Sequence, residues 1–148
     1  MDRGLPASAC STRTMQSLDG RTPLPDRAGA PIVCVVDDDA PLRRAVLRLL
    51  RGVGFAVESF GTAEDFLAAG HARRPDCLVL DIHLGVLSGF DLHDHLRAAG
   101  LSIPTVFITG HDDVVTRERA RRVGAAGYVR KPFEEATLVA AIEHALAG

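Results

Sequence analysis

Three carboxylates end the first strongly apolar stretch of the sequence. Residues 33–36 are all apolar, and Asp37, Asp38 and Asp39 follow at once. A short β-branched run that stops at turn-type residues is typical of a buried strand in a parallel sheet. Open α/β sheets bind ligands at the carboxyl ends of their strands, so these acids stand where a site is expected.

Three later apolar stretches end in the same way. Residues 77–80 lead into Asp81, residues 106–108 into Thr109, and residues 128–129 are followed closely by Lys131. If all these strands are parallel, one edge of the sheet collects several carboxylates, a hydroxyl and an ammonium group.

This set of side chains predicts a site for a divalent cation and a phosphate. Two carboxylates about 4 Å apart repel by about 4 kcal/mol at an effective dielectric of about 20, so the acids need a proton, a cation or a lysine beside them. Carboxylate oxygens suit Mg²⁺, which keeps open positions for water and phosphate oxygens. No Ser, Cys or His is spaced as a triad, but a carboxylate is an adequate nucleophile toward a phosphoryl group.

The segments between these strands have the pattern of helices. Asp39 is placed to cap a helix whose apolar residues recur at helical spacing, namely Leu42, Ala45, Val46, Leu49, Leu50 and Val53. The arginines of this helix fall on its other side, which favours a solvated face over a docking patch: Arg43, Arg44, Arg48 and Arg51.

The remaining elements continue the alternation. Residues 55–60 and 103–108 read as strands, and helices are predicted after the caps Thr62 and Ser88, over residues 113–123, and after Pro132. Strand and helix alternate five times, and because βαβ crossovers are right-handed, this pattern gives a parallel sheet with helices on both faces.

Composition narrows the class of protein. The chain has 148 residues, a formal charge of −2 and three cysteines. The charge gives no argument for nucleic-acid binding, no run of about 18 apolar residues predicts a membrane span, and the N-terminus lacks the apolar core of a secretory signal, so a cytoplasmic protein is expected. Residues 1–30 lack any period and predict a disordered tail. The cysteines are expected to be reduced, and Cys34 and Cys77 buried.

With these residues in view, residues 31–148 resemble a receiver domain of bacterial two-component response regulators. The resemblance rests on four motifs: Val-Val-Asp37-Asp38-Asp39, Leu-Val-Leu-Asp81-Ile-His-Leu, Phe-Ile-Thr109-Gly110-His111, and Gly124-Ala-Ala-Gly-Tyr128-Val-Arg-Lys131-Pro132-Phe133. It implies a flavodoxin-like, doubly wound, five-stranded parallel sheet of order 2-1-3-4-5 with five helices.

The resemblance also implies a role for each site residue. Asp81 accepts the phosphoryl group, Asp38, Asp81 and the backbone carbonyl of His83 bind Mg²⁺ directly, and Asp37 binds it through water. Lys131 pairs with a phosphoryl oxygen, and its bond to Pro132 is often cis in the family. Thr109 moves toward the phosphoryl group and Tyr128 rotates inward behind it, which changes a partner-binding surface.

The implied donor is a sensor histidine kinase, and the implied output is a downstream target protein, with a homodimer on phosphorylation as a further possibility. Such a chain is not an enzyme in the usual sense, because it catalyses only its own phosphorylation and dephosphorylation. The alternatives are a phosphorelay shuttle to a histidine phosphotransfer protein and a binding module that needs no phosphate. An aspartyl-phosphate phosphatase is less favoured, because His83 stands where such enzymes carry a second acid.

One departure from the family affects the loop after Asp81. Gly85 and Val86 stand where the family usually carries a Pro-Gly pair. Without the proline the loop is less restricted, and a β-branched valine resists positive φ, so we expect a different backbone path.

Overall fold

Five strands alternate with five helices in residues 29–70 and 74–148, the part of the chain that the computed structural model describes. The strands are β1 (Ile32–Val36), β2 (Ala56–Phe60), β3 (Cys77–Asp81), β4 (Thr105–Thr109) and β5 (Gly127–Arg130). The helices are α1 (Ala40–Val53), α2 (Ala63–Ala69), α3 (Gly89–Ala98), α4 (Val114–Arg122) and α5 (Glu135–Ala147). Apart from Gly29 and Ala30, the predicted tail lies outside the described residues.

The strands form one parallel sheet of order β2-β1-β3-β4-β5, which confirms the predicted order 2-1-3-4-5. The register aligns the strand ends: Val36 of β1 pairs with Leu80 of β3, and Asp81 pairs with Ile108 of β4. The residues that follow each strand therefore meet at one edge of the sheet.

Helices cover both faces of the sheet, as predicted. On one face, α2, α3 and α4 pack on side chains that include Cys34, Leu78 and Phe107. On the other face, α1 and α5 pack on side chains that include Val35 and Val79. Alternate residues of each central strand thus enter different cores, which explains why these strands are apolar throughout.

Side chains cap four of the helices where the sequence predicted a helix start. Asp39 accepts a hydrogen bond from the Leu42 amide, Thr62 from the Asp65 amide, Ser88 from the Asp91 amide and Asp113 from the Thr116 amide. The Asp91 carboxylate also accepts from the Ser88 amide, which completes a capping box. These four helices therefore begin at defined residues.

Helix α1 differs from the predicted apolar pattern at two residues. Ala45 and Val53 are exposed rather than packed on the sheet, and Gly52 lies inside the helix. The helix ends at Gly54, whose φ of 117° is readily adopted only by glycine. The predicted apolar stripe was wider than the surface that the sheet offers to this helix.

The two cysteines within the described residues are free and buried, as expected. They lie in different cores, on opposite faces of the sheet. Burial, chiefly, raises the pKa of Cys34 and of Cys77 to about 12. Both thiols therefore stay protonated and unreactive at neutral pH. Among the described residues, no helix is both long and apolar enough to span a bilayer.

Candidate functional site

Three carboxylates meet at the carboxyl edge of the sheet. Asp37, Asp38 and Asp81 each offer an oxygen, and these oxygens all lie within 4.8 Å of one another. Asp37 and Asp81 are buried, whereas Asp38 is exposed. The ends of β1 and β3 thus bring together the acids that the sequence predicted as one site.

Asp37 is held at several points. Its Oδ1 accepts a hydrogen bond from the Asp39 amide at 2.9 Å, and its own amide donates to the Phe60 carbonyl at 3.1 Å. Its backbone carbonyl accepts from Arg43 Nη1 at 2.6 Å. The loop between β1 and α1 is therefore tied both to β2 and to α1.

Asp81 is the buried acid at the centre of the site. Its Oδ1 accepts a hydrogen bond from the His83 amide at 3.1 Å, and its Oδ2 accepts from Lys131 Nζ at 3.1 Å. Burial, followed by the charge of Asp37, raises the pKa of Asp81 above its usual range, although the His83 amide and Lys131 act in the opposite direction. Burial and the neighbouring charge thus disfavour the ionised form of Asp81.

Lys131 bridges the two buried acids. Its Nζ lies 3.0 Å from Asp37 Oδ2 and 3.1 Å from Asp81 Oδ2. Burial favours loss of its proton, but the contacts with both carboxylates outweigh burial and raise the pKa of Lys131. The ammonium group therefore stays charged and supplies one of the positive charges that the acids require. The peptide bond from Lys131 to Pro132 is cis, as the resemblance implied.

Thr109 lies at the end of β4, fully buried, in the strand next to Asp81. Its Oγ1 accepts a hydrogen bond from the His111 amide at 2.9 Å and lies 3.3 Å from the His111 carbonyl. The hydroxyl is thus engaged within its own loop in this state of the protein.

Tyr128 takes part in a network that the sequence analysis missed. Its hydroxyl donates to Asp112 Oδ1 at 3.0 Å, and Arg117 Nη2 lies 2.9 Å from both oxygens of that carboxylate. Arg130 Nη1 stands 3.7 Å from Asp112 Oδ2. The only feature of the sequence that pointed to this network was the position of Asp112, three residues after Thr109. The network links the loop before α4 to β5.

The loop after Asp81 takes its positive φ at Gly85, where φ is 92°. Val86 is 91% exposed. At the end of the same loop, a Cβ on Gly89 would stand 2.5 Å from the Asp81 carbonyl oxygen, so the start of α3 packs directly on the backbone of β3. His83 and His111 are both exposed, and their rings lie with centroids 5.0 Å apart and planes tilted by 56°.

The chemistry of the donor set fits Mg²⁺. The three acids offer oxygen ligands only, which a hard cation prefers, and Lys131 offsets one of their charges. The raised pKa of Asp81 reflects the burial and repulsion that a divalent cation would relieve.

Comparison with known proteins assigns the family. Residues 33–143 match the model of the response regulator receiver domain. The chain is 40% identical over 111 residues to Nodulation protein W of Bradyrhizobium diazoefficiens, covering 75% of this chain and 49% of that protein. It is 38% identical over 113 residues to the transcriptional regulatory protein FixJ of Rhizobium meliloti, covering 76% and 55%.

A solved structure shows the same fold. A response regulator receiver protein from Burkholderia phymatum superposes with a TM-score of 0.69 at 40% identity, covering 79% of this chain and 95% of that one. The chain spans about half the length of the two curated relatives named above. Receiver domains typically bind Mg²⁺ at an acidic cluster, and this chain has such a cluster. The chain belongs to the response regulator receiver domain family.

Proposed function

We propose that this protein is the phosphoacceptor of a two-component system and takes its phosphoryl group on Asp81 from a phosphohistidine of a sensor kinase. The observation that carries the proposal is the placement of Lys131 between two buried acids, Asp37 and Asp81, with Asp38 beside them. Phosphoryl transfer depends mainly on in-line positioning and on neutralising charge, and this arrangement supports both.

In the proposed reaction a carboxylate oxygen of Asp81 attacks the phosphorus atom. The bond from phosphorus to the donor imidazole nitrogen breaks, and that nitrogen keeps the electron pair and takes a proton from water. The product is an aspartyl phosphate and a neutral histidine. The protein acts as a stoichiometric acceptor that assists its own phosphorylation and dephosphorylation, and is therefore not an enzyme acting on a separate substrate.

The neighbouring residues receive the roles that the family suggests. Asp38, Asp81 and the His83 carbonyl would hold Mg²⁺, and Asp37 would act through water; when bound, the ion would neutralise charge on the phosphoryl oxygens. Lys131 exchanges its contact with Asp81 for one with a phosphoryl oxygen. The Thr109 hydroxyl leaves its loop partner and donates to another of these oxygens.

The output is proposed to be a change of binding surface. When Thr109 moves, the loop that carries Asp112 moves with it, and Tyr128 loses the carboxylate that holds its hydroxyl. This supports a switch that binds a downstream target protein, with dimerisation on phosphorylation as one form of that output. FixJ, a transcriptional regulatory protein, is about twice as long as the matched segment, so its regulatory output is not carried over to this chain.

Intact mass after incubation with acetyl phosphate and Mg²⁺ tests the proposal. The wild type should gain one phosphoryl group only when Mg²⁺ is present, and Asp81→Asn should gain none. Asp94→Asn, which removes an exposed acid on α3, serves as the matched control and should behave as the wild type.

A wild type that gains no mass, or an Asp81→Asn variant that still does, would overturn the proposal and favour a binding module that works without phosphate. A phosphorylated protein that passes its phosphate to a histidine phosphotransfer domain, without gaining affinity for a target, would instead identify a phosphorelay shuttle.

A further inference from the structure

Arg43 differs from the other arginines of α1. Arg44, Arg48 and Arg51 are exposed, as predicted for a solvated face, but Arg43 is half-buried. The prediction was therefore wrong for this one residue. Burying part of a guanidinium group costs free energy unless its donors are satisfied, so its contacts indicate what it does.

The guanidinium of Arg43 contacts the backbone beside the acidic cluster. Its Nη1 donates to the carbonyl of Asp37 at 2.6 Å. That carbonyl belongs to the peptide unit that joins Asp37 to Asp38. The contact therefore fixes the orientation of the peptide between two of the acids predicted to surround Mg²⁺.

The same guanidinium also rests against a second loop. A Cβ on Gly61 would stand 3.3 Å from Arg43 Nη1 and 3.7 Å from its Cζ, so glycine leaves the room that the guanidinium occupies. Gly61 follows Phe60, whose carbonyl accepts the hydrogen bond from the Asp37 amide. Arg43 thus lies where the loop after β1 meets the loop after β2.

We infer that Arg43 is a positioning residue of the metal site: by holding the peptide between Asp37 and Asp38 against Gly61, it presents the Asp38 carboxylate to Mg²⁺. The inference rests on the proposed function only in taking the acidic cluster as an Mg²⁺ site. Arg43 acts through a backbone carbonyl and has no predicted contact with the phosphoryl group. Its loss should therefore weaken Mg²⁺ binding while the fold persists.

Calorimetric titration of the full chain with MgCl₂ tests this role. Arg43→Gln should weaken Mg²⁺ binding by about tenfold, a size typical of groups that orient metal ligands. Arg44→Gln removes the same charge from the adjacent, exposed position and should stay within about twofold of the wild type. The difference between the two variants separates positioning from a general effect of charge.

A second variant protects the test from a folding defect. Gly61→Ala keeps both arginines but crowds the guanidinium at 3.3 Å, so it should weaken Mg²⁺ binding by a few-fold. Thermal unfolding in EDTA, which removes Mg²⁺, should give Arg43→Gln and Gly61→Ala a midpoint close to that of the wild type. If Arg43→Gln proves unstable, Gly61→Ala decides the matter.

Three outcomes are decisive. The inference would be overturned if Arg43→Gln and Arg44→Gln bind Mg²⁺ with equal affinity. If Arg43→Gln cannot fold, an unchanged Mg²⁺ affinity in Gly61→Ala would overturn it instead. Either result would leave the phosphoacceptor proposal intact. A wild type that binds Mg²⁺ and shows the Arg43 effect, but takes no phosphate, would overturn the proposed function alone. A wild type that does not bind Mg²⁺ would overturn both.

Discussion

His93 is a buried imidazole on the inner side of α3. Only 7% of its surface is exposed, and its ring centroid lies 5.6 Å from that of Phe107. Its Nδ1 has no hydrogen-bond partner within the described part of the chain. Burial, followed by the charge of Arg97, lowers the pKa of His93. The folded protein therefore resists protonation of this ring.

We expect this resistance to appear in the pH dependence of stability. In the unfolded chain His93 takes up a proton near its ordinary pKa of about 6.5, whereas the folded chain takes it up only at lower pH. The unfolded state then binds more protons, so the free energy of unfolding should fall as the pH drops below about 6.5. Urea unfolding at neutral and mildly acidic pH measures this fall in the free energy of unfolding. The fall should be smaller in His93→Leu than in the wild type.

The matched control is His95→Leu, which removes an exposed imidazole two residues along the same helix. Its pH dependence should follow that of the wild type. Equal slopes in His93→Leu and the wild type would show that the buried ring does not cause the loss.

Tyr128 offers a second measurement at the scale of one residue. It is the only tyrosine in a chain without tryptophan, so the ultraviolet absorbance of tyrosinate reports this residue alone. Burial, and then the hydrogen bond to Asp112, raises the pKa of Tyr128 to about 12. Asp112→Asn removes the negative charge and should lower this pKa, because ionised Tyr128 would no longer face a carboxylate.

Glu118→Gln is a suitable control for the tyrosine titration, since it neutralises an acid of α4 that pairs with Arg121 rather than with Tyr128. A midpoint that does not change in Asp112→Asn would mean that Asp112 does not hold the hydroxyl in solution.

At the scale of helices and strands, two glycines should respond to alanine in opposite directions. Gly52 lies inside α1 with nothing within 4 Å of an added Cβ, so Gly52→Ala should stabilise the protein by about 0.5–1 kcal/mol. Gly89 begins α3 with the Asp81 carbonyl oxygen 2.5 Å from an added Cβ, so Gly89→Ala should cost about 1–3 kcal/mol.

Chemical denaturation of both variants checks this pair of signs. Phosphorylation of Gly89→Ala should also fall, because the strain would displace the loop that carries His83. If Gly89→Ala has the stability of the wild type, the close packing of α3 on β3 does not persist in solution.

The same elements show what the sequence could and could not predict. Strand ends and caps follow from local patterns, so the sequence correctly predicts Asp37, Asp81 and Thr109 at one edge of the sheet. It also predicts Asp39, Thr62 and Ser88 at helix starts. The hydrogen bond between Asp112 and Tyr128 joins residues 16 apart in the sequence, and it depends on how the loop before α4 lies against β5. Nothing periodic in the sequence encodes that distance.

The sequence pattern predicts correctly which residues of a helix are buried only where the sheet extends far enough to cover them. For α1, the predicted apolar stripe is correct at Val46 and Leu50, which are buried, but wrong at Ala45 and Val53, which are exposed. The partial burial of Arg43 was also not predictable from the pattern of α1. It depends on Gly61, which lies in the loop after β2, 18 positions away in the sequence.

For the molecule as a whole, we expect Mg²⁺ to act as a stabilising ligand. The folded state brings the three acids together, so it can bind a divalent cation. The unfolded chain separates these acids and should bind the ion less tightly. At a concentration of 100 times Kd, such a ligand adds about 2.7 kcal/mol to the free energy of unfolding. The thermal unfolding midpoint should then rise by several degrees.

Asp38→Asn tests the origin of that rise, because it removes the exposed acid of the cluster and should abolish most of it. Asp39→Asn keeps a side chain able to cap α1 and leaves the cluster unchanged, so it should retain the rise. An equal midpoint shift in Asp38→Asn and the wild type would place the ion elsewhere.

The order of the strands also determines when the site can first exist during synthesis. Starting from β1, the chain adds β2 on one side and then β3, β4 and β5 one after another on the other side. The acids therefore emerge from the ribosome in the first half of the domain, while Thr109 and Lys131 arrive with its last two strands. A nascent chain can therefore pair its first strands long before it contains Lys131, the residue that joins Asp37 to Asp81 in the folded protein.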